Sequence, residues 1–380
     1  MLAIAPGMTP PLNGHPAPTN WNAFLYMDGP AYAAIAAGGY SHAPPQLTAF
    51  FPLYPLISGA IMRVTSLPFP IVGTLVSNIA FLLALWTIYV WVSERQGVSQ
   101  ARWAILTFCW LPLSIYGSLA YTEGLFALLS TLALRDFGRE RFVRAGVWGA
   151  LATAARPTGM ALIPAFALGA AVRKPAAWVT AALSCVGICV YAFVCWKVGG
   201  DPLAFVRAQY GFRGDLFSRY WPWRDLLDVL LGTTGPRLWA YQLAIIACVV
   251  VWYRKRAVLP NGAQFLAGAA LTLAELRLWW AGSTDLLLIF GGVAALWVFR
   301  REIGIHSTAF ALLGVALIVG AGYPLAADRL AYSLVPLVVA LAMVWSRFPQ
   351  VGAVTLLFFA GQIPHDAVRI AQHVWWLTNL

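Results

Sequence analysis

Long apolar runs separated by short polar or charged patches dominate the chain, near 70–92, 103–119, 121–134, 145–155, 158–172, 176–198, 237–253, 263–280, 286–299, 307–321, 330–345 and 352–363. A helix that crosses a bilayer needs about 20 apolar residues, so several of these runs must tilt, borrow from their flanks or re-enter. Gly and Pro punctuate them, as membrane helices tolerate where neighbours satisfy the freed backbone groups. The stretch "AFFPLYPLISGAIMRV" at 49–64 is apolar too, but its prolines and shortness predict an interfacial or re-entrant helix rather than a span.

The pattern predicts an all-α polytopic membrane protein with about 10–12 transmembrane or re-entrant helices. Its expected parts are an outer N-terminal tail and loop (1–48), an interfacial helix (49–66), a first helix group (70–198), an outer loop (199–236) and a second helix group (237–380). Composition agrees: 61% of the 380 residues are hydrophobic, 10% are charged, and the mean hydropathy is +0.73, outside the range of soluble domains. The 18 Trp and 14 Tyr suit chains that place amphipathic rings at both bilayer interfaces. All five cysteines, Cys109, Cys185, Cys189, Cys195 and Cys248, fall in apolar runs with no metal-ligand spacing and read as packing residues. His42, His365 and His373 are scattered, and no metal site is expected from them.

The net charge of +11 does not point to nucleic acid, because the basic residues lie between apolar runs. With 93–102 cytoplasmic, alternate connections place "RDFGRERFVR" (135–144), Arg173 and Lys174, "RKR" (254–256), Arg300 and Arg301, and Arg347 on that same side. Fourteen of the 25 basic residues then face inward, accompanied by Glu94, Asp136, Glu140 and Glu302, which satisfies the positive-inside bias.

The same topology sends a second set of charges to the opposite face: Asp28 in "YMDGPAY", Glu123 in "AYTEG", Arg156 in "AARPTG", the loop 200–225, Asp328 and Arg329 in "AADRLAY", and "PHDAVR" at 364–369. Charges near hydrocarbon are expensive and serve a pathway, a pair or a site. Each also has a plainer reading. Glu123 after Thr122 suits a helix start, Arg156 suits a snorkelling side chain or a pair with Glu123, and Asp201 before Pro202 suits a turn. Arg213 with Asp215 and Arg224 with Asp225 suit solvated loop charges. Glu275 and Arg277, two apart on a helix, do not face each other.

The segments "MDGPAYAAIAAGGY", "AFFPLYPLI", "AYTEGLFALLS", "AARPTGMAL", "GDPLAFVRAQ" and "DRLAYSLVP" occur in an order and spacing that resemble bacterial PIG-V-type mannosyltransferases, polytopic glycosyltransferases of the GT-C class. The likeness spans about residues 21–340 and rests on the conjunction of six segments. It implies a GT-C-like bundle with outward-facing catalytic loops. It further implies transfer of a sugar, mannose, from a polyprenyl (dolichyl-type) monophosphate to a hydroxyl of a glycan or glycolipid on the extracytoplasmic side of a bacterial inner membrane. The lipid-linked sugar is a substrate, and no cofactor is implied. Two features depart from the family pattern. Met27 stands before Asp28 where the family carries Trp in WDxxxY, with Tyr32 retained, and the proline-broken stretch 1–26 reads neither as the expected preceding transmembrane helix nor as a signal peptide.

Such a transfer needs a base for the acceptor hydroxyl, and Asp28 is the candidate. One carboxylate suffices for an inverting transfer, because the phosphate departs without strong acid help. The leaving phosphate needs fixed donors, for which forked guanidiniums are suited: Arg329 first, then Arg156, then Arg207. Tyr32, Tyr40, Tyr121, Thr122, Glu123 and Asp201 are candidate substrate contacts, and a groove between helices beside "FFPLYPLI" is expected to admit the isoprenoid tail from the lipid bilayer. The alternative is a lipid-linked sugar transporter or flippase, which would need midplane polar residues and paired broken helices. No such repeat is visible, and the outward clustering of acids favours an enzyme over either a transporter or a non-catalytic scaffold.

Overall fold

The computed structural model describes residues 21–25, 27–171, 175–213, 286–320 and 326–371, with positions 254 and 263. The apolar runs 237–253 and most of 263–280, the loop 214–225, Glu275, Arg277 and His373 lie outside the described residues. No strand occurs among the described residues.

The first helix, α1 (Gly29–Gly38), falls inside the segment read as a loop. The correction has a local cause: Pro30 is tolerated in the first turn, and the Ala-rich run "AYAAIAA" has strong helix propensity. The expected interfacial helix is α2 (Leu53–Thr65), preceded by a 3-10 turn at Pro45–Ala49. Then come α3 (Phe69–Gln96), α4 (Val98–Trp110), α5 (Glu123–Gly138), α6 (Phe142–Ala155), α7 (Leu162–Ala171), α8 (Trp178–Gly199) and α9 (Ala204–Arg213). The run 103–119 does not continue as one helix: it stops at Trp110 and passes through a 3-10 segment, Pro112–Gly117, because Pro112 has no N–H to donate.

The second group holds α10 (Gly292–Val298), α11 (Arg300–Ile303), α12 (Ile305–Gly320), α13 (Ala327–Tyr332), α14 (Val335–Arg347) and α15 (Pro349–Ala371). The run 330–345 is therefore split, with Pro336 starting a fresh helix, whereas α15 runs on through Pro364 well beyond the apolar run 352–363.

Two helices among the described residues are long and apolar enough to cross a membrane, Phe69–Gln96 and Pro175–Gly199, and five shorter apolar helices accompany them. Their outer faces are apolar as well. Leu75, Ile79, Leu82, Leu83 and Trp86 on α3, and Val186, Val190 and Phe193 on α8, are exposed. Rows of exposed apolar side chains on helices of this length suit a membrane-associated surface.

Small residues set the closest helix approaches. A Cβ at Gly187 of α8 would overlap the Ala150 carbonyl oxygen of α6, beside which Thr153 Oγ1 donates to Ser184 O at 2.8 Å. Gly187→Val is accordingly expected to force α6 and α8 apart and to destabilise by about 1–3 kcal/mol, the usual cost of overpacking. A thermal melt in detergent that matches wild type would reject this account.

The helices gather charge at two ends. At one, Arg135 forks onto Glu94 with bonds of 3.2 and 2.6 Å, Arg139 joins it, and Arg95 and Gln96 reach the Glu302 carbonyl. Buried Asp136 accepts from the Trp148 indole at 3.1 Å, with Arg144 at 3.3 Å. These are the basic connections that the sequence grouped on one side. Ser77, on the same α3 as Glu94, belongs to the other end, about 25 Å away at 1.5 Å per residue.

Candidate active site

That other end is built from four sequence-distant segments. Its footing is a polar patch near the start of α3. Ser77 Oγ donates to Tyr121 O at 2.7 Å and receives the Tyr121 N–H at 3.1 Å, while Asn78 Nδ2 donates to Ser118 O at 3.0 Å. The turn before α5 is thereby pinned to α3. Gly124 permits the approach, since a Cβ there would stand 2.9 Å from Ser77 O and from Phe81 Cβ. Glu123 is the first residue of α5, where an acid meets the positive end of the helix, and Thr122 makes no side-chain cap.

Asp28 sits immediately before α1 rather than in an open loop. Its backbone N–H donates to the Tyr121 hydroxyl at 3.3 Å, and its side chain makes no capping bond to the helix. Met27 before it has a φ of 40°, a left-handed conformation costly for a non-glycine residue. Arg156 owes its place to Pro157: the residue before a proline is driven out of the helical region, and Arg156 is extended at φ −154°, ending α6. Arg329 lies on the short α13, which Tyr332 fastens by donating to Phe108 O of α4.

These residues form one charge cluster. Arg329 Nη2 lies 2.7 Å from Asp28 Oδ2, Arg329 Nε lies 3.3 Å from Glu123 Oε1, and Arg156 Nη1 lies 3.0 Å from the same Oε1. Two carboxylates thus meet two guanidiniums, with Glu123 as the shared hub. Burial is graded: the side chains of Glu123, Arg156 and Arg329 are 4%, 6% and 12% exposed, against 26% for Asp28. Asp28 is the member most open to a substrate. Burial opposes the charge on Arg329, but the Asp28 and Glu123 carboxylates outweigh it and raise its pKa well above the ordinary value, so the cation is permanent.

Tyrosines wall the cluster. Tyr32 OH is 3.4 Å from Thr122 Oγ1, and its ring packs edge-on against Phe50 and Tyr54. Tyr116 and Tyr121 stack at 5.8 Å, with the Arg329 guanidinium carbon 5.5 and 5.0 Å from their centroids. Burial, reinforced by Asp28, raises the pKa of both Tyr32 and Tyr121 and keeps them neutral. Tyr116 is half-buried and was not singled out from the sequence; only its place in the turn behind Pro112 brings it to Arg329.

Three sequence candidates make their contacts elsewhere. Tyr40 donates to Phe50 O at 2.6 Å and packs on Tyr191 in a second small core with Phe51, Cys195 and Phe205. Asp201 accepts the Leu203 N–H at 3.0 Å, closing the turn its proline suggested, and pairs with exposed Arg207 at 3.2 Å. The structure therefore joins Asp28, Tyr32, Tyr121, Thr122, Glu123, Arg156 and Arg329, while Tyr40 stands behind Phe50, whose ring meets Tyr32, and Asp201 and Arg207 pair with each other.

Fold and cluster together define an all-α, membrane-associated protein with a buried, charge-balanced site at one end of its helices. No family model matches the chain. Among curated proteins, GPI alpha-1,6-mannosyltransferase 2 of Cricetulus griseus is 29% identical over 146 residues, a match covering 35% of this chain and 28% of that protein. The alignment thus spans less than a third of the relative's length. Among solved structures, the crystal structure of the Archaeoglobus fulgidus oligosaccharyltransferase is similar with a TM-score of 0.43 and 17% identity, over 93% of this chain and 48% of that one.

Proposed function

We propose that the protein is a multi-pass membrane glycosyltransferase of the GT-C class, which moves mannose from a polyprenyl monophosphate to a hydroxyl of a glycan or glycolipid on the extracytoplasmic side. The observation that carries the reading is the cluster itself: its most accessible carboxylate, Asp28, stands against a buried, permanently charged arginine. Partial likeness to a mannosyltransferase supports the sugar.

In this reading Asp28 takes the proton of the acceptor hydroxyl as its oxygen attacks the anomeric carbon. The bond from that carbon to the phosphate oxygen breaks, and the electron pair leaves with the polyprenyl monophosphate. Charge gathers on the phosphate as the bond opens, and fixed guanidinium donors stabilise it without reorganising. Arg329 is the nearer donor. Arg156 supports it through Glu123, and half-buried Tyr116 is the ring open to the sugar, with buried Tyr32 and Tyr121 forming the wall behind it. The isoprenoid tail lies in this reading along a groove of about 620 Å³ between α1 and α2, lined by Ile35, Pro55, Gly59 and Met62 together with Arg63 and Ser66.

Purified protein in nanodiscs, given a synthetic polyprenyl-phosphate mannose and a glycolipid acceptor, is expected to release polyprenyl monophosphate and glycosylated acceptor in equal amounts. Movement of intact donor between leaflets without product would instead establish the transporter reading.

A further inference from the structure

Arg329 contacts its two acids unequally. Its Nε faces Glu123, which is 4% exposed and also holds Arg156, whereas its Nη2 faces Asp28, which is 26% exposed and makes no capping bond to α1. A guanidinium recognises phosphate through two neighbouring N–H groups acting as a fork. Nε stands 3.3 Å from Glu123 Oε1 without completing a hydrogen bond, whereas Nη2, which both forks of the guanidinium share, is held by Asp28 at 2.7 Å, so a fork opens fully to phosphate only when an acid yields. Releasing Glu123 would take its carboxylate from Arg156 in a buried site, a large penalty. Releasing Asp28 returns a partly exposed carboxylate to water at far lower cost.

Resting on the reading of Asp28 as the base, we propose that Arg329 is an exchangeable clamp: the donor phosphate displaces the Asp28 carboxylate from the guanidinium, so the base is released only when donor is bound, while Glu123 positions the arginine throughout. Charge bookkeeping agrees. The empty cluster of Asp28, Glu123, Arg156 and Arg329 sums to zero. The donor phosphodiester adds one negative charge, leaving the displaced Asp28 carboxylate uncompensated. As the reaction proceeds Asp28 loses its charge to the acceptor proton while the departing phosphate gains one, so the net charge is unchanged and the negative charge passes from Asp28 to the phosphate held by Arg329. Donor therefore precedes activation of the acceptor, and the empty site holds no free base.

The test measures binding rather than transfer, using a short-chain polyprenyl monophosphate as a non-transferable probe and isothermal titration in detergent. Asp28→Asn and Asp28→Ala should each bind the probe about tenfold more tightly than wild type, roughly the worth of one charge-assisted hydrogen bond freed from competition. A double-mutant cycle with Arg329→Gln separates exchange from plain repulsion: the gain should vanish in the Arg329→Gln background. Unchanged or weaker binding in both Asp28 variants overturns the proposal, and so does an equal gain with and without Arg329. The enzymatic reading fails separately, through absence of transfer by the wild type with a full donor.

Discussion

Asp28→Asn is expected to lower sugar transfer by roughly 10²- to 10⁴-fold, the usual worth of a general base, while the protein still folds and still binds lipid phosphate. The substitution preserves size and leaves untouched the backbone N–H that meets the Tyr121 hydroxyl. It removes the capacity to hold the acceptor proton and the charge that pairs with Arg329. Asp28→Glu should recover little, since one more methylene moves the carboxylate by about 1 Å, and misplacement on that scale can cost around 10²-fold. The measurement is product formation from a synthetic polyprenyl-phosphate sugar by monodisperse variants. Transfer by Asp28→Asn at the wild-type rate would remove Asp28 from the mechanism.

Glu123→Ala is expected to cost about 3–5 kcal/mol of stability, because it takes the carboxylate from buried Arg156 and leaves Arg329 with Asp28 alone. Its Oε1 lies 3.0 Å from Arg156 and 3.3 Å from Arg329, and the carboxylate is 4% exposed, so solvent cannot take over its role. Glu123→Gln should lose less, keeping an acceptor oxygen. Pairing Glu123→Leu with Arg156→Met should recover part of the loss, as apolar groups of similar volume commonly replace a buried ion pair without penalty. Thermal unfolding in detergent at a fixed heating rate reads the effect; a Glu123→Ala melt equal to wild type would show that the hub is not structural. The two variants separate the roles, Asp28 governing chemistry and Glu123 holding the frame in which that chemistry occurs.

What the sequence determines here is whatever depends on averages and local rules. An excess of apolar residues, with basic residues confined to alternate connections, dictates a helical membrane-associated chain with charge sorted to its ends, and the Glu94, Glu302 and Arg135 contacts assemble at one end accordingly. Local rules carry part of the site as well. The proline after Arg156 ends a helix and puts an arginine at its tip, and acids beside "YTEG" and "MDGP" are conspicuous because charges are scarce in such a chain. A local rule also misled where two readings compete: "AYAAIAA" forms a helix inside an expected loop. Only the tertiary structure decides which outward charges touch. Asp28, Glu123, Arg156 and Arg329 come from segments as much as 301 residues apart, and no local signal encodes a 2.7 Å contact between the first and last of them. That pairing depends on Gly124 letting α5 close on α3, on Ser77 fixing the Tyr121 turn, and on Tyr332 fastening α13 to α4. It also turns a scatter of costly charges into a neutral unit, because a buried charge is tolerated only where its counterion is held within hydrogen-bond reach.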